Sequence, residues 1–315
     1  MVTWCLYQSE QKKVWDDFVI SSRTPLFFFQ RDFMEYHSDR FVDHSLMFYF
    51  EGKLVALLPA SKKDNQLISH GGLTYGGLIF HAKIRAETVV AIAEQLLVVA
   101  KEQGFLNLIY KSIPYIFHQQ PAQDDIYALF NVAKAKLIRR DLSSVIKLNQ
   151  RLGLSKGRKW LIARAKKNNL QVTSSTDWQG FHQLLRTVLE KHDAMPVHSV
   201  EELQLLHNQF PQNIELKVVL QDEAIIAAAL LFKFKSVVHT QYLAVSELGK
   251  DLGALDYLLE TSINESTSEG YEYFSFGIST EQNGQYLNTG LLAQKESFGA
   301  RSVSLDFYEV NLNEG

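Results

Sequence analysis

The chain has 315 residues, of which 46% are hydrophobic and 21% charged, and its formal charge is −3. Those proportions exclude extensive disorder, collagen-like repetition and a disulfide scaffold, and near-neutrality gives no global signature of nucleic-acid binding. The length favours two domains of ordinary size, each able to bury a core.

At the N-terminus, Cys5 is the sole cysteine, so no intrachain disulfide forms and a reducing compartment is expected. Glu10, Asp16 and Asp17 break the charged-then-apolar layout of a secretory leader. No apolar run approaches the roughly 20 residues that span a bilayer. A cytoplasmic protein without membrane insertion is therefore expected.

Residues 9–20 read as an opening helix with Ser9 as N-cap. Residues 46–50 and 54–60 form a hairpin around Glu51-Gly52-Lys53, and 67–75 continue as a strand. A helix over 87–102 carries Val90, Ile92, Leu96, Leu97 and Val99 on a broad apolar face. Gly104 ends it and opens an aromatic strand, after which a further helix precedes a strand over 135–148.

The same order returns at a shift of roughly 165–170 residues. A helix over 178–192 leads to a hairpin of 214–220 and 224–234 around Gln221-Asp222-Glu223, then to a strand over 237–245. A helix over 252–268, with Leu255, Leu258, Leu259 and Ile263 apolar, ends near Gly270. An aromatic strand, a helix and a strand over 301–312 complete the echo, which aligns Asp141 with Asp306. The pattern predicts an α+β fold of two tandem units, 1–150 and 151–315, each a mixed sheet flanked by helices.

A connector and helix over 152–169 join them. No acid occurs between Asp141 and Asp177, while Lys147, Arg151, Lys156, Arg158, Lys159, Arg164, Lys166 and Lys167 supply eight cations. Such a field suits a phosphate-bearing substrate. It also suits a solvated helix whose apolar side is Trp160, Leu161 and Ala163.

Arg158-Lys-Trp-Leu-Ile-Ala-Arg-Ala-Lys-Lys-Asn-Asn-Leu-Gln-Val172 resembles the basic helix and short strand that open the second half of Fem-type transferases. These are a double-domain branch of the GNAT acyltransferase superfamily. Gln294-Lys-Glu-Ser-Phe-Gly299 is similar to the lysine–x–x–phenylalanine–glycine segment near the C-terminus of the same group. The resemblance implies two GNAT-like domains and an N-acyltransferase that moves an acetyl or aminoacyl group onto an amine. The acceptor would be a small metabolite, sugar-nucleotide or peptide. It implies acyl-CoA as donor, with aminoacyl-tRNA second and nucleic acid a partner only in that case. No tightly bound cofactor and no metal are expected. Two alternatives are an aminoacyl-tRNA-dependent peptidyltransferase and a non-catalytic ligand-binding protein that kept the fold. Oligomeric state is not legible.

Acyl transfer to an amine needs orientation, proton removal and oxyanion stabilisation rather than a protein nucleophile. By resemblance Lys295 lies beside the reaction centre, with Phe298 beside the donor. His239, Gln241 and Tyr242 lie on the strand that lines the donor cleft, His239 as candidate base and Tyr242 as catalytic partner. Alternation places His239, Gln241 and Leu243 on one face and Thr240, Tyr242 and Ala244 on the other. Gly249, Lys250 and Gly253 stand where such enzymes hold the donor pyrophosphate at a helix start, although a helix with Asp251 as N-cap explains them equally.

In the first half, Ser69, His70, Thr74 and Tyr75 share residues 69–77 with four glycines, a loop that allows close ligand approach. With Lys111, Tyr115, His198 and Asn283 they form the expected acceptor set. The first half is accordingly read as acceptor-binding, the second as donor-binding and reaction centre.

Overall fold

The structure is a computed structural model that describes residues 1–191 and 193–313. His192, expected at the end of a helix, lies outside the described residues. The chain divides into two compact units, Met1–Asp141 with Gln282–Tyr286 and Ser304–Gly315, and Leu142–Glu281 with Leu287–Val303. A single cut near residue 150 does not separate them, because one long strand changes unit between Asp141 and Leu142.

In the first unit, strand β1 (Val2–Leu6) is followed by helix α1 (Lys12–Ser21), which begins after a single turn at Ser9–Gln11. Ser9 is therefore inside that turn and not the helix N-cap. Gln11 reaches back to the Gln8 amide at 2.9 Å and closes the turn instead. Short helix α2 (Arg31–Glu35) leads to β2 (Val42–Asp43) and the hairpin β3 (Leu46–Phe50) and β4 (Lys53–Leu58). Next come β5 (Ser61–Lys63), β6 (Gln66–Ile68) and β7 (Ile79–Phe80). The strand expected over 67–75 thus stops at Ile68, because the glycines that follow contribute no side chain to pack a sheet.

Helix α3 (Ala86–Glu102) buries Val89, Ile92, Ala93, Leu96, Val99 and Ala100, a stripe at helical spacing. It stops before Gly104, whose φ of +80° reverses the chain into β8 (Asn107–Lys111). Helix α4 (Asp124–Asn131) precedes β9 (Lys136–Lys147). One sheet orders β1-β3-β4-β7. In the other, β6 lies parallel to β8 over three residue pairs, and the C-terminal strand Arg301–Asn311 lies antiparallel to β8. Leu46, Phe48, Leu96, Leu108 and Tyr110 belong to this unit's core.

The second unit contains α5 (Lys156–Lys167), β10 (Val172–Ser175), α6 (Trp178–Glu190) and α7 (Val200–Gln209). Antiparallel strands β11 (Ile214–Gln221), β12 (Ala224–Lys233) and β13 (Val237–Val245) follow. Then come α8 (Glu247–Leu252), α9 (Ala254–Ser268), β14 (Tyr273–Ile278) and α10 (Thr289–Glu296). Strand β14 runs parallel to β13, and its other edge pairs antiparallel with residues 143–147 of β9. Ala227, Ala229, Leu231, Leu258, Leu259 and Phe274 are in this unit's core. Both units therefore contain a three-pair parallel strand contact followed by an antiparallel partner, set within the repeated order of elements read from the sequence.

Candidate active site

Strand β13 does not alternate as a regular strand. Its partner β12 pairs Leu231 with Thr240 but Leu230 with Tyr242, so Gln241 is an extra, bulged residue. Leu230 and Leu231 face opposite sides of the sheet, and so do their partners. The bulge consequently puts Tyr242 on the same face as His239, which pairs with Phe232. Strict alternation had separated the two, because a bulge is set by the partner strand and leaves no mark on a periodicity of two. Strand β14 has a comparable irregularity at Phe276, between the pairs Ser275–Val145 and Gly277–Ser144. The β13–β14 pairing is confined to Val237–Tyr273, Val238–Phe274 and His239–Ser275, so the strands part beyond Ser275.

Lys295 stands at this parting. It projects from the last turn of α10, and its ammonium donates to the carbonyls of Gly277, at 3.0 Å, and Ile278. Only 7% of the residue is exposed, and burial brings its pKa down to about 8. It remains a cation at neutral pH, and a lysine ammonium has three protons, so among the described residues one is left for a ligand. Gly277 has a φ of +72°, and a side chain there would press on the His239 ring at 3.3 Å.

His239 is buried, with Nδ1 3.1 Å from the Ser275 hydroxyl. Burial, aided by the charge of Lys295, lowers its pKa to about 4. It is a neutral hydrogen-bonding group at physiological pH, and so weak a base contributes little to proton removal there. Tyr242 is different. Its hydroxyl lies 2.7 Å from Nδ1 of His198, a residue on the loop between α6 and α7, and the two rings meet edge to face. Burial raises the phenol pKa, so the group is a proton donor rather than an anion. Gln241, the bulged residue, is half-buried.

In the first unit, Ser69, His70 and Lys111 come together as a built loop. The Ser69 hydroxyl accepts from the Lys111 amide at 2.7 Å. The Lys111 ammonium donates to the carbonyls of His70 at 2.9 Å, Gly71 at 3.3 Å and Leu73 at 2.6 Å. All three protons are spent on the loop backbone, so the lysine fixes the loop rather than offering a donor to an acceptor substrate. Burial and the nearby Arg139 lower its pKa to about 8. His70 stacks on His37, has no partner among the described residues for its buried Nδ1, and is driven by burial to a pKa of about 3. Tyr75 packs between Phe28 and Phe117 in the interior, whereas Thr74 is exposed. Tyr115 is exposed in a turn, and Asn283 accepts from Arg139 at 3.0 Å. Of the expected acceptor set, His198 meets an expected catalytic residue, Tyr242.

Residues 149–286 match the acetyltransferase (GNAT) domain family. The second half of the chain thus carries a GNAT-type acetyltransferase domain. Its fold is shared with FemX at 12% identity and a TM-score of 0.70, over 99% of this chain and 98% of that one. It is shared with the C-terminal domain of a putative lysylphosphatidylglycerol synthetase from Agrobacterium fabrum at 13% identity and a TM-score of 0.63, over 96% and 91%. A tandem GNAT protein from the clavulanic acid biosynthesis pathway aligns over 100% of both chains at 11% identity and a TM-score of 0.54. No curated protein sequence matches the chain. The tandem GNAT-like fold of FemAB-like proteins is thus the fold of this chain.

The glycine segment of the GNAT domain is used internally. Ser246, not Asp251, caps α8 through its hydroxyl, which accepts from the Gly249 amide at 3.0 Å. A Cβ on Gly249 would sit 2.2 Å from the Ile226 carbonyl oxygen, and one on Gly253 would sit 2.4 Å from that of Leu161. Gly253 has a φ of +72° and forms the joint between α8 and α9, so α9 starts at Ala254 rather than inside α8. Lys250 pairs with Glu247 at 3.0 Å on the surface. Phe298 is 1% exposed and packs on Phe276 in the core, with the Arg158 guanidinium over its ring. These four residues have structural partners where donor contacts had been expected. Ser275 is not among the expected site residues, although the aromatic strand that carries it is legible in the sequence. Among the described residues, no helix is long and apolar enough to cross a membrane, and no group of His, Cys, Asp or Glu could hold a metal ion.

Proposed function

We propose that the second unit transfers an acyl group from a coenzyme A thioester to the amine of a small metabolite, sugar-nucleotide or peptide in the cytoplasm. The observation that carries this reading is the Lys295 ammonium, buried where β13 and β14 part and holding one unspent proton. A donor carbonyl at that point would find a fixed cation aimed at the oxygen that becomes negative in the tetrahedral intermediate. The amine nitrogen forms the new C–N bond as the C–S bond breaks. Tyr242 gives its proton to the leaving thiolate, and the proton lost by the amine returns to Tyr242 through His198. His239 holds Ser275 and the floor of the site in place.

The test is turnover of acetyl-CoA by the purified protein against a panel of amines, followed by free-thiol release. Amine-dependent thiol release that disappears in Lys295→Ala supports the reading. No release with any amine, or a parental rate in Lys295→Ala, overturns it.

A further inference from the structure

Helix α5 carries a surface that chemistry at Lys295 does not use. Lys156, Trp160, Ala163, Arg164 and Lys167 recur at helical spacing and are all exposed, while Ile162 and Ala165 form the buried side. Trp160 and Ala163 therefore lie among the cations rather than on an opposite apolar face. Trp160 is 60% exposed, whereas Trp15 and Trp178 are 0% and 3% exposed. The Arg164 guanidinium lies over its indole, 5.4 Å from the ring centroid.

Two cations of the segment are held by carboxylates. Arg151 is held by Glu260 and Arg158 by Asp256, so both serve the packing of α9. Among the described residues, Lys156, Lys159, Arg164 and Lys167 have no carboxylate partner. A hollow of about 540 Å³ lies on this face, lined by Trp160, Ala163, Arg164, Lys167, Asn168 and Leu252. Its size suits a nucleotide. Leu252 ends α8, the helix that follows β13 and Tyr242.

An exposed aromatic plane beside unpaired cations is the chemistry that stacks a base and neutralises its phosphates. We propose that this hollow binds the phosphorylated adenosine of the acyl donor, with the purine on the indole of Trp160 and the phosphate on Arg164 and Lys167. The proposal takes its donor from the acyl-transfer reading but stands on different residues. Coenzyme A and the terminal adenosine of a charged tRNA both present this group.

The experiment is a fluorescence titration of the full chain with coenzyme A, dephospho-coenzyme A and an RNA hairpin ending in CCA. Coenzyme A is expected to quench the indole emission, and Trp160→Phe to remove the quench. Arg164→Gln with Lys167→Gln should weaken binding about fivefold, as two exposed ion pairs would. Stronger binding of coenzyme A than of its dephospho form assigns the phosphate contact to the cofactor source; quenching by the hairpin alone assigns it to RNA. No quench by any of the three, or parental affinity in the double variant, overturns the proposal. Quenching without amine turnover leaves this site standing and removes the transfer reading. Turnover with a parental coenzyme A KM in Trp160→Ala does the reverse.

Discussion

The Tyr242 hydroxyl and His198 Nδ1 are 2.7 Å apart although the residues lie on separate elements, a bulged strand and the loop before α7. The loop is held there by a second device, the Ser199 cap of α7, whose hydroxyl accepts from Glu202 while Glu202 returns to the Ser199 amide. Because burial keeps Tyr242 protonated, Tyr242→Phe should lower kcat about 100-fold, the scale of a lost general acid, with the donor KM unchanged. Steady-state kinetics check this, and a leaving group of low pKa should restore much of the rate.

Lys295 loses its charge as pH rises through about 8. If the cation stabilises the oxyanion, the rate should fall above that pH. Lys295→Arg should move the fall to higher pH while keeping part of the activity. Lys295→Met should cost about 100-fold in kcat, the scale of one oxyanion donor. A pH–rate profile of the two variants separates a charge role from a packing role.

His239 makes a stability prediction of definite sign. Its native pKa is about 4 against 6.5 in a free histidine. As pH falls below 6.5 the unfolded chain takes up a proton that the native state refuses, so stability drops until about pH 4. His239→Gln should flatten the urea-midpoint profile across that window. A slope as steep as the parent's would show that other groups control it.

Asp125 behaves in the opposite sense. It is buried, accepts from the Tyr110 hydroxyl, and has its pKa raised by burial to about 6 from 3.8. Between those values the native state holds a proton that the unfolded chain has lost, so this contribution is complete at low pH and is lost as pH rises through about 6. Asp125→Asn should shift the melting temperature, relative to the parent, more favourably at pH 7 than at pH 4, measured by thermal denaturation.

Two glycines with the same φ sign should respond differently to alanine. Gly104 has open space where a Cβ would go, while at Gly253 a Cβ would meet the Leu161 carbonyl at 2.4 Å. Gly104→Ala should cost about 1 kcal/mol from left-handed strain alone. Gly253→Ala should cost more and separate α9 from α5, read as a lower denaturation midpoint with no change in slope.

The sequence by itself determined the tandem order of elements, the apolar stripes of α3 and α9, the glycines that end them, and Lys295 as a residue of interest. Those features are local: periodicity, helix-stop chemistry and a short motif are all contained in one stretch of chain. Tertiary structure alone decided that His239 and Tyr242 share a face, since the bulge at Gln241 exists only against β12. It also decided that Gly249 and Gly253 meet backbone carbonyls, that Lys111 is exhausted by its own loop, and that His198 completes Tyr242. Each of these depends on what a distant segment places within hydrogen-bonding or contact distance, and the periodicity of one segment contains no information about that neighbour. The charge of −3 showed the same division. It hid an acid-free basic stretch that could be read from the sequence, but only the packing of Arg151 and Arg158 against α9 showed which of its cations are left for a ligand.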